Sequence, residues 1–122
     1  MFEVIVQSEF AAAHQLREYG GQCERLHGHN WRVEVRVAAG AVNDLGLAID
    51  FREVKRRLAA VLDELDHQFL NDLEAFRGRN PSSEHIAQAI YDGLARQLPA
   101  GVRLTSVTAW ESDRCGVTYS PQ

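Results

Sequence analysis

Cys23-Glu24-Arg25-Leu26-His27-Gly28-His29-Asn30-Trp31-Arg32-Val33-Glu34-Val35-Arg36-Val37 decides how this chain folds, because its second half alternates with the period of a strand. Trp31, Val33, Val35 and Val37 share one parity, whereas Arg32, Glu34 and Arg36 take the other. In an extended backbone, residues two apart project to the same side. His27 and His29 therefore belong with the apolar set and point toward the buried face, and Gly28 between them is expected to let the backbone come close. A thiol and two imidazoles within seven residues read as a metal-binding pair with a nucleophile or base beside it.

The preceding stretch has the same period. Phe2, Val4, Val6, Phe10, Ala12 and His14 fall on one parity, and Glu3, Gln7 and Glu9 on the other, so His14 also aims at the core side of a strand. An antiparallel pairing of the two strands brings His14 beside His27 and His29 at one end of the sheet. Three neutral imidazoles suit Zn²⁺ and leave a coordination position open for water or substrate, the arrangement of a catalytic zinc. The alternative is a closed structural site with Cys23 as fourth ligand, which makes the chain a non-catalytic zinc-binding module.

Gln15 to Gln22 is a connection carrying Gly20-Gly21. After a loop over residues 40–47, Asp50 with Glu53 three residues on marks a helix start, and Phe51, Val54, Leu58, Val61 or Leu62, and Leu65 form its apolar stripe. Lys55-Arg56-Arg57 is its solvated face. Asp66-His67 follows where the stripe ends; alone, an Asp-His dipeptide carries little chemistry. Asn80-Pro81-Ser82-Ser83-Glu84 opens a second helix, with Ile86, Ile90, Leu94 and Leu98 as its stripe and Pro99 with Gly101 after it. His85, among the capping residues, is expected to be exposed. Val102 to Glu111 and Val117 to Tyr119 read as closing strands. The order ββααββ predicts an α+β fold: an antiparallel four-stranded sheet with two helices on one face. Outer strands in so short a sheet leave unpaired backbone groups, which predicts self-association.

At 122 residues, with 45% hydrophobic and 25% charged residues, the chain is expected to form a single domain over 1–122. A net charge of −4 argues against nucleic-acid binding through phosphate neutralisation, and there is no apolar run long enough to span a bilayer. Strand-like sequence begins at Phe2 with no leader pattern, so the expected location is cytoplasmic, where Cys23 and Cys115 stay reduced. Cys115 is read as a residue without chemistry.

Taken together, Phe10-Ala11-Ala12-Ala13-His14, Cys23-x-x-x-His27-Gly28-His29-Asn30, Ile49-Asp50-Phe51, Leu65-Asp66-His67-Gln68-Phe69-Leu70-Asn71, Asn80-Pro81-Ser82-Ser83-Glu84 and Trp110-Glu111-Ser112 resemble the 6-pyruvoyl-tetrahydropterin synthase family nearly end to end. Within it they resemble the 6-carboxy-5,6,7,8-tetrahydropterin synthase (QueD) branch. The resemblance implies a tunnelling fold (T-fold), in which sheets of several subunits close into an oligomeric barrel, a homohexamer built as a dimer of trimers. It implies Zn²⁺ on His14, His27 and His29, with Cys23 as proton acceptor and Asp66, His67 and Glu111 assisting proton transfer. Ser82, Ser83, Glu84 and Glu111 are implied to bind the pterin, the two serines standing where relatives often have Thr.

The implied activity is that of a zinc-dependent carbon–carbon lyase. It converts 7,8-dihydroneopterin triphosphate to 6-carboxy-tetrahydropterin, acetaldehyde and triphosphate, on the way to queuosine and other deazapurines. Three residues between the cysteine and His-Gly-His resemble this branch, whereas animal pyruvoyl synthases typically have five. A third branch, in folate synthesis, carries Glu at the cysteine position. The enzymatic alternative is a 6-pyruvoyl-tetrahydropterin synthase that eliminates triphosphate from the same substrate.

Overall fold

The computed structural model of the protein describes residues 1–18 and 24–122. Strands β1 (Phe2–His14) and β2 (His27–Ala39) are followed by helix α1 (Phe51–Asp63), the short strand β3 (Gln68–Phe69), helix α2 (Ser83–Ala95) and strands β4 (Val102–Trp110) and β5 (Gly116–Tyr119). Single 3₁₀ turns over Leu70–Asp72 and Glu74–Phe76 link β3 to α2. The strands form one sheet in the order β3-β1-β2-β4-β5.

The β1–β2 ladder is antiparallel along its whole length, from Phe2 opposite Ala39 to His14 opposite His27. Alternation does what the sequence requires. Val6, Phe10, Ala12 and His14 of β1 are buried on the same side as Trp31, Val33, Val35 and Val37 of β2. Val54, Leu58, Val61 and Leu62 of α1 and Ile86, Ala87, Ile90 and Leu94 of α2 close over that side. Each such aliphatic side chain, fully buried, contributes about 1.5–3 kcal/mol. α1 lies over β1, and α2 over β4 and β5.

Two irregularities place the functional groups. Between β2 and β4 the register shifts at Arg36/Val37, and Thr105 is left without a partner in the ladder. The Thr105 hydroxyl donates to the Arg36 carbonyl at 2.9 Å. This bulge changes the parity of β4, so that Leu104 before it and Val107 and Ala109 after it are all buried. Glu111, two residues past Ala109, consequently arrives on the helix-covered side.

The second irregularity corrects the expected sheet, which among the described residues has five strands and is mixed. After α1, His67 adopts a left-handed conformation (φ 59°), rare for a residue with a Cβ. The turn lays Gln68 and Phe69 parallel to β1, opposite Ala12 and Ala13. A two-residue parallel bridge has no periodicity from which it could be read.

Asp50 caps α1, accepting from the Arg52 amide at 2.9 Å. Glu53 pairs with Arg56 and Arg57 at 2.7 Å each rather than returning to the cap. Phe51, at the first helical position ahead of the packed turns, remains 58% exposed, so the stripe of α1 begins at Val54. His85 is half-buried rather than exposed, because its Nδ1 meets the Asn80 carbonyl at 2.6 Å.

Candidate functional site

The antiparallel register puts His14 across from His27 and Ala12 across from His29, which gathers the three imidazoles at one end of the sheet. The end of β4 adds Glu111. One donor atom from each of His14, His27, His29 and Glu111 lies within 4.8 Å of all the others. The resemblance implies proton transfer and pterin binding for Glu111; the bulge at Thr105 brings it among the candidate metal donors as well.

The second contacts of the rings fix which nitrogens face inward. Nδ1 of His14 stands 2.8 Å from the Pro81 carbonyl, and Nδ1 of His27 stands 2.8 Å from the Arg25 carbonyl. A carbonyl only accepts, so each Nδ1 carries the proton and each Nε2 presents a lone pair. Those two Nε2 atoms are 3.0 Å apart. Two lone pairs at that distance repel unless a cation stands between them. Donors about 2.0–2.1 Å from a tetrahedral zinc are themselves about 3.3 Å apart, close to what is seen here.

His29 is the third imidazole of the cluster. Its Nε2 is buried and has no hydrogen-bond partner among the described residues. Oε1 of Glu111 comes within 2.8 Å of that nitrogen and 3.6 Å of Nε2 of His14, but the approach to His29 is not aligned as a hydrogen bond. Burial holds the His29 ring below its ordinary pKa; Glu111 opposes the shift, and His14 and His27 reinforce it. A neutral ring with a free, buried nitrogen is what a metal ligand requires. The donor set of imidazoles and one carboxylate fits Zn²⁺.

Trp31 supports the cluster from below. It is fully buried, with His14 and His29 edge-on to its ring at centroid distances of 5.1 and 5.4 Å. Gly28 is not demanded by close packing, since a Cβ there would meet only the Ala12 carbonyl, at an ordinary 3.5 Å.

Asp66 and His67 form a pair on the other edge of β1. Oδ1 of Asp66 accepts from the Ala11 amide at 2.9 Å, and Oδ2 stands 2.9 Å from Nδ1 of His67. The Ala11 amide, and after it His67, holds the Asp66 carboxyl below its ordinary value. The His67 amide donates to the Ala11 carbonyl at 2.6 Å, which fixes its left-handed backbone. His67 and His29 line one open groove of ≈ 530 Å³, floored by Ala11, Ala13 and Gly28. An Asp-His dipeptide in a helix would face two ways; the turn at His67 is what lets the carboxylate meet the ring of its neighbour.

Ser82 is the N-cap of α2 and accepts from the His85 amide at 3.2 Å. Ser83 and Glu84 occupy the first turn, Glu84 exposed. Neither makes a hydrogen bond or ion pair with the donor cluster among the described residues, although Pro81 just before them holds His14. Cys23 lies outside the described residues. Cys115 is exposed in the turn after Glu111.

Comparison with known proteins follows the same lines. A family model described as 6-pyruvoyl tetrahydropterin synthase matches residues 3–122. A protein of Pyrococcus furiosus named dihydroneopterin monophosphate aldolase is 34% identical over 114 residues, 93% of this chain and 93% of its own length. The 6-carboxy-5,6,7,8-tetrahydropterin synthase of Synechocystis sp. is 38% identical over 112 residues, 88% of this chain and 85% of its own. The solved 6-pyruvoyl tetrahydropterin synthase of Caenorhabditis elegans has a TM-score of 0.84 at 25% identity, covering 99% of this chain and 96% of that one.

Proposed function

The chain belongs to the 6-pyruvoyl tetrahydropterin synthase family, and from that premise we propose that it is a zinc-dependent 6-carboxy-5,6,7,8-tetrahydropterin synthase. Its substrate is 7,8-dihydroneopterin triphosphate, and its products are the 6-carboxy pterin, acetaldehyde and triphosphate. The observation that carries the reading is the convergence of His14, His27 and His29, with two facing lone pairs and one orphaned buried nitrogen. The likeness to the Synechocystis protein supports the choice of product.

His14, His27 and His29 hold the ion, oriented by the Pro81 and Arg25 carbonyls. Bound zinc supplies a Lewis acid that stabilises negative charge on a substrate oxygen. Cys23 accepts a proton from the substrate side chain; a free thiol is mostly protonated at neutral pH, so it needs positive surroundings to act as base. Asp66 fixes His67 through Nδ1, which leaves Nε2 of that ring to pass a proton at the groove. Glu111 moves a proton or holds the pterin ring, with Ser82, Ser83 and Glu84 completing the ring's pocket. The long edge of β1, covered among the described residues only at Ala12 and Ala13, supports assembly through strand pairing, as a hexamer with sites shared between subunits.

A second reading is favoured by the likeness to the Pyrococcus furiosus aldolase: cleavage of the dihydroneopterin side chain of a monophosphate by the same residues. Incubating the zinc-loaded protein with dihydroneopterin triphosphate and, separately, its monophosphate, then weighing the products, tests both. The 6-carboxy pterin from the triphosphate is the expected product. A pyruvoyl product, or cleavage of the monophosphate alone, replaces this reading, and inertness toward both substrates ends it.

A further inference from the structure

Asn71 and Asn80 each apply both ends of a carboxamide to the backbone of a single distant residue. Asn71 accepts from the Gln15 amide at 2.9 Å and donates to the Gln15 carbonyl at 2.7 Å. Asn80 accepts from the Arg17 amide at 2.7 Å and donates to the Arg17 carbonyl at 3.0 Å. An amide side chain offers the same in-plane donor and acceptor as a peptide, so each asparagine imitates a neighbouring strand where β1 has ended. The last residue of β1 is the buried His14.

Asn71 acts on the chain that carries this ring. On the outer edge of β1, Gln68 and Phe69 pair with Ala12 and Ala13, and Asn71 carries that pairing past His14 to Gln15. On the inner edge His14 faces His27. Asn80 acts on the partner of the ring. Nδ1 of His14 donates to the carbonyl of buried Pro81 at 2.8 Å, and that carbonyl is only as well placed as the residues on either side of it. Ser82 after it caps α2. Asn80 before it is tied to Arg17 by its side chain, and its carbonyl accepts from Nδ1 of His85 at 2.6 Å.

A half-turn of the His14 ring about its Cβ–Cγ bond exchanges each nitrogen for a carbon. The Pro81 carbonyl selects between the two orientations, because only one of them gives it an N–H, and that one turns Nε2 toward His27 and Glu111. We infer that Asn71 and Asn80 are positioning residues for His14: the first fixes its backbone, and the second fixes the Pro81 carbonyl that sets the orientation of its ring. The inference rests on the reading of His14 as a metal ligand. Partners that orient a ligating imidazole are typically worth about 10–100-fold in metal affinity.

The test compares Asn71→Ala and Asn80→Ala with Asn43→Ala. Asn43 also bonds backbone amides, those of Leu45 and Leu47, but beyond the opposite end of β2 from His27. In chelator competition, zinc affinity should fall about 10-fold or more in the first two variants and stay within about twofold of the parent in Asn43→Ala. In a His14→Ala background neither asparagine should cost further affinity, since the group they position is gone. The Nδ1 proton of His14, followed by NMR in the proteins as purified, should exchange with solvent about fivefold faster or more in both variants. Where an alanine variant does not fold, Asn71→Asp or Asn80→Asp keeps the acceptor and gives up the donor, and should lower zinc affinity about threefold or more. Unchanged affinity in the folded variants, an equal loss in Asn43→Ala, or losses that multiply in the His14→Ala background overturns the inference. If the unmutated protein binds no zinc, the metal reading has failed, and the ring proton alone decides the positioning of His14. Faster exchange in Asn80→Ala then upholds it, and unchanged exchange overturns it.

Discussion

Replacing Trp31 by Phe sets two terms of opposite sign against each other beneath the imidazole cluster. Trp31 is fully buried, and its Nε1–H has no hydrogen-bond partner among the described residues. Shrinking indole to phenyl removes on the order of 50 Å² of buried apolar surface, about 1.3 kcal/mol at 25 cal/mol per Å². Removing a buried, unpaired donor returns about 1–3 kcal/mol. The zinc-free Trp31→Phe protein should therefore unfold in urea with a free energy within about 2 kcal/mol of the parent. Trp31→Ala, which opens a cavity, should cost about 3–5 kcal/mol. Zinc affinity should respond differently. The ring of Trp31 meets His14 and His29 and fixes their planes, and loss of such outer support typically costs about 10–100-fold in metal affinity. Paired urea titrations and chelator-competition titrations measure both. If Trp31→Phe is as destabilising as Trp31→Ala, the indole N–H has a partner after all; if it leaves zinc affinity untouched, the ring does not orient the ligands.

Glu111→Gln keeps the size of the side chain and removes its charge; it should retain about one zinc per chain, as a site held by three imidazoles does, while turnover falls by at least ~10²-fold. Loss of zinc in that variant, by metal analysis, would instead make Glu111 a ligand. Acid should weaken the zinc-free fold: the folded His29 ring sits below its ordinary pKa, chiefly through burial, so its contribution is complete above about 6.5 and is lost as pH falls through that value toward the folded one. Urea midpoints should drop between pH 7.5 and 5.5 by more than they do in His29→Phe. Equal slopes would show that His29 titrates alike in both states. Chelation should abolish activity yet leave helix and strand signals in circular dichroism, because Val33, Val35, Val37, Leu58, Ile86 and Ile90 form a core that contains no ligand; collapse of those signals would mark a structural site.

Alternation alone was enough to place the imidazoles. His14, His27 and His29 share the parity of the buried residues on β1 and β2, and one antiparallel register makes them neighbours. The helices were equally legible from the spacing of Val54, Leu58 and Leu62 and of Ile86, Ile90 and Leu94. What escaped is what local periodicity does not encode. The bulge at Thr105 that turns Glu111 toward the histidines leaves only a parity change, Val102 and Leu104 against Val107 and Ala109, visible once the ladder is known. The left-handed backbone of His67, which joins it to Asp66 and starts β3, depends on the Ala11 carbonyl, contributed by a distant strand. Asn71 and Asn80, each bonded through both ends of its carboxamide to the backbone of a residue 56 or 63 positions away, Gln15 and Arg17 respectively, have no pattern of their own.

The central claim is that a base distinct from the metal ligands works beside a three-histidine zinc site, and Cys23→Ala tests it most directly. With zinc content, pterin binding and product formation measured on one preparation, zinc and pterin should stay bound while turnover falls by at least ~10²-fold. A metal-depleted, unstable protein would make Cys23 a structural ligand, and undiminished turnover would remove it from the chemistry; either result contradicts the mechanism.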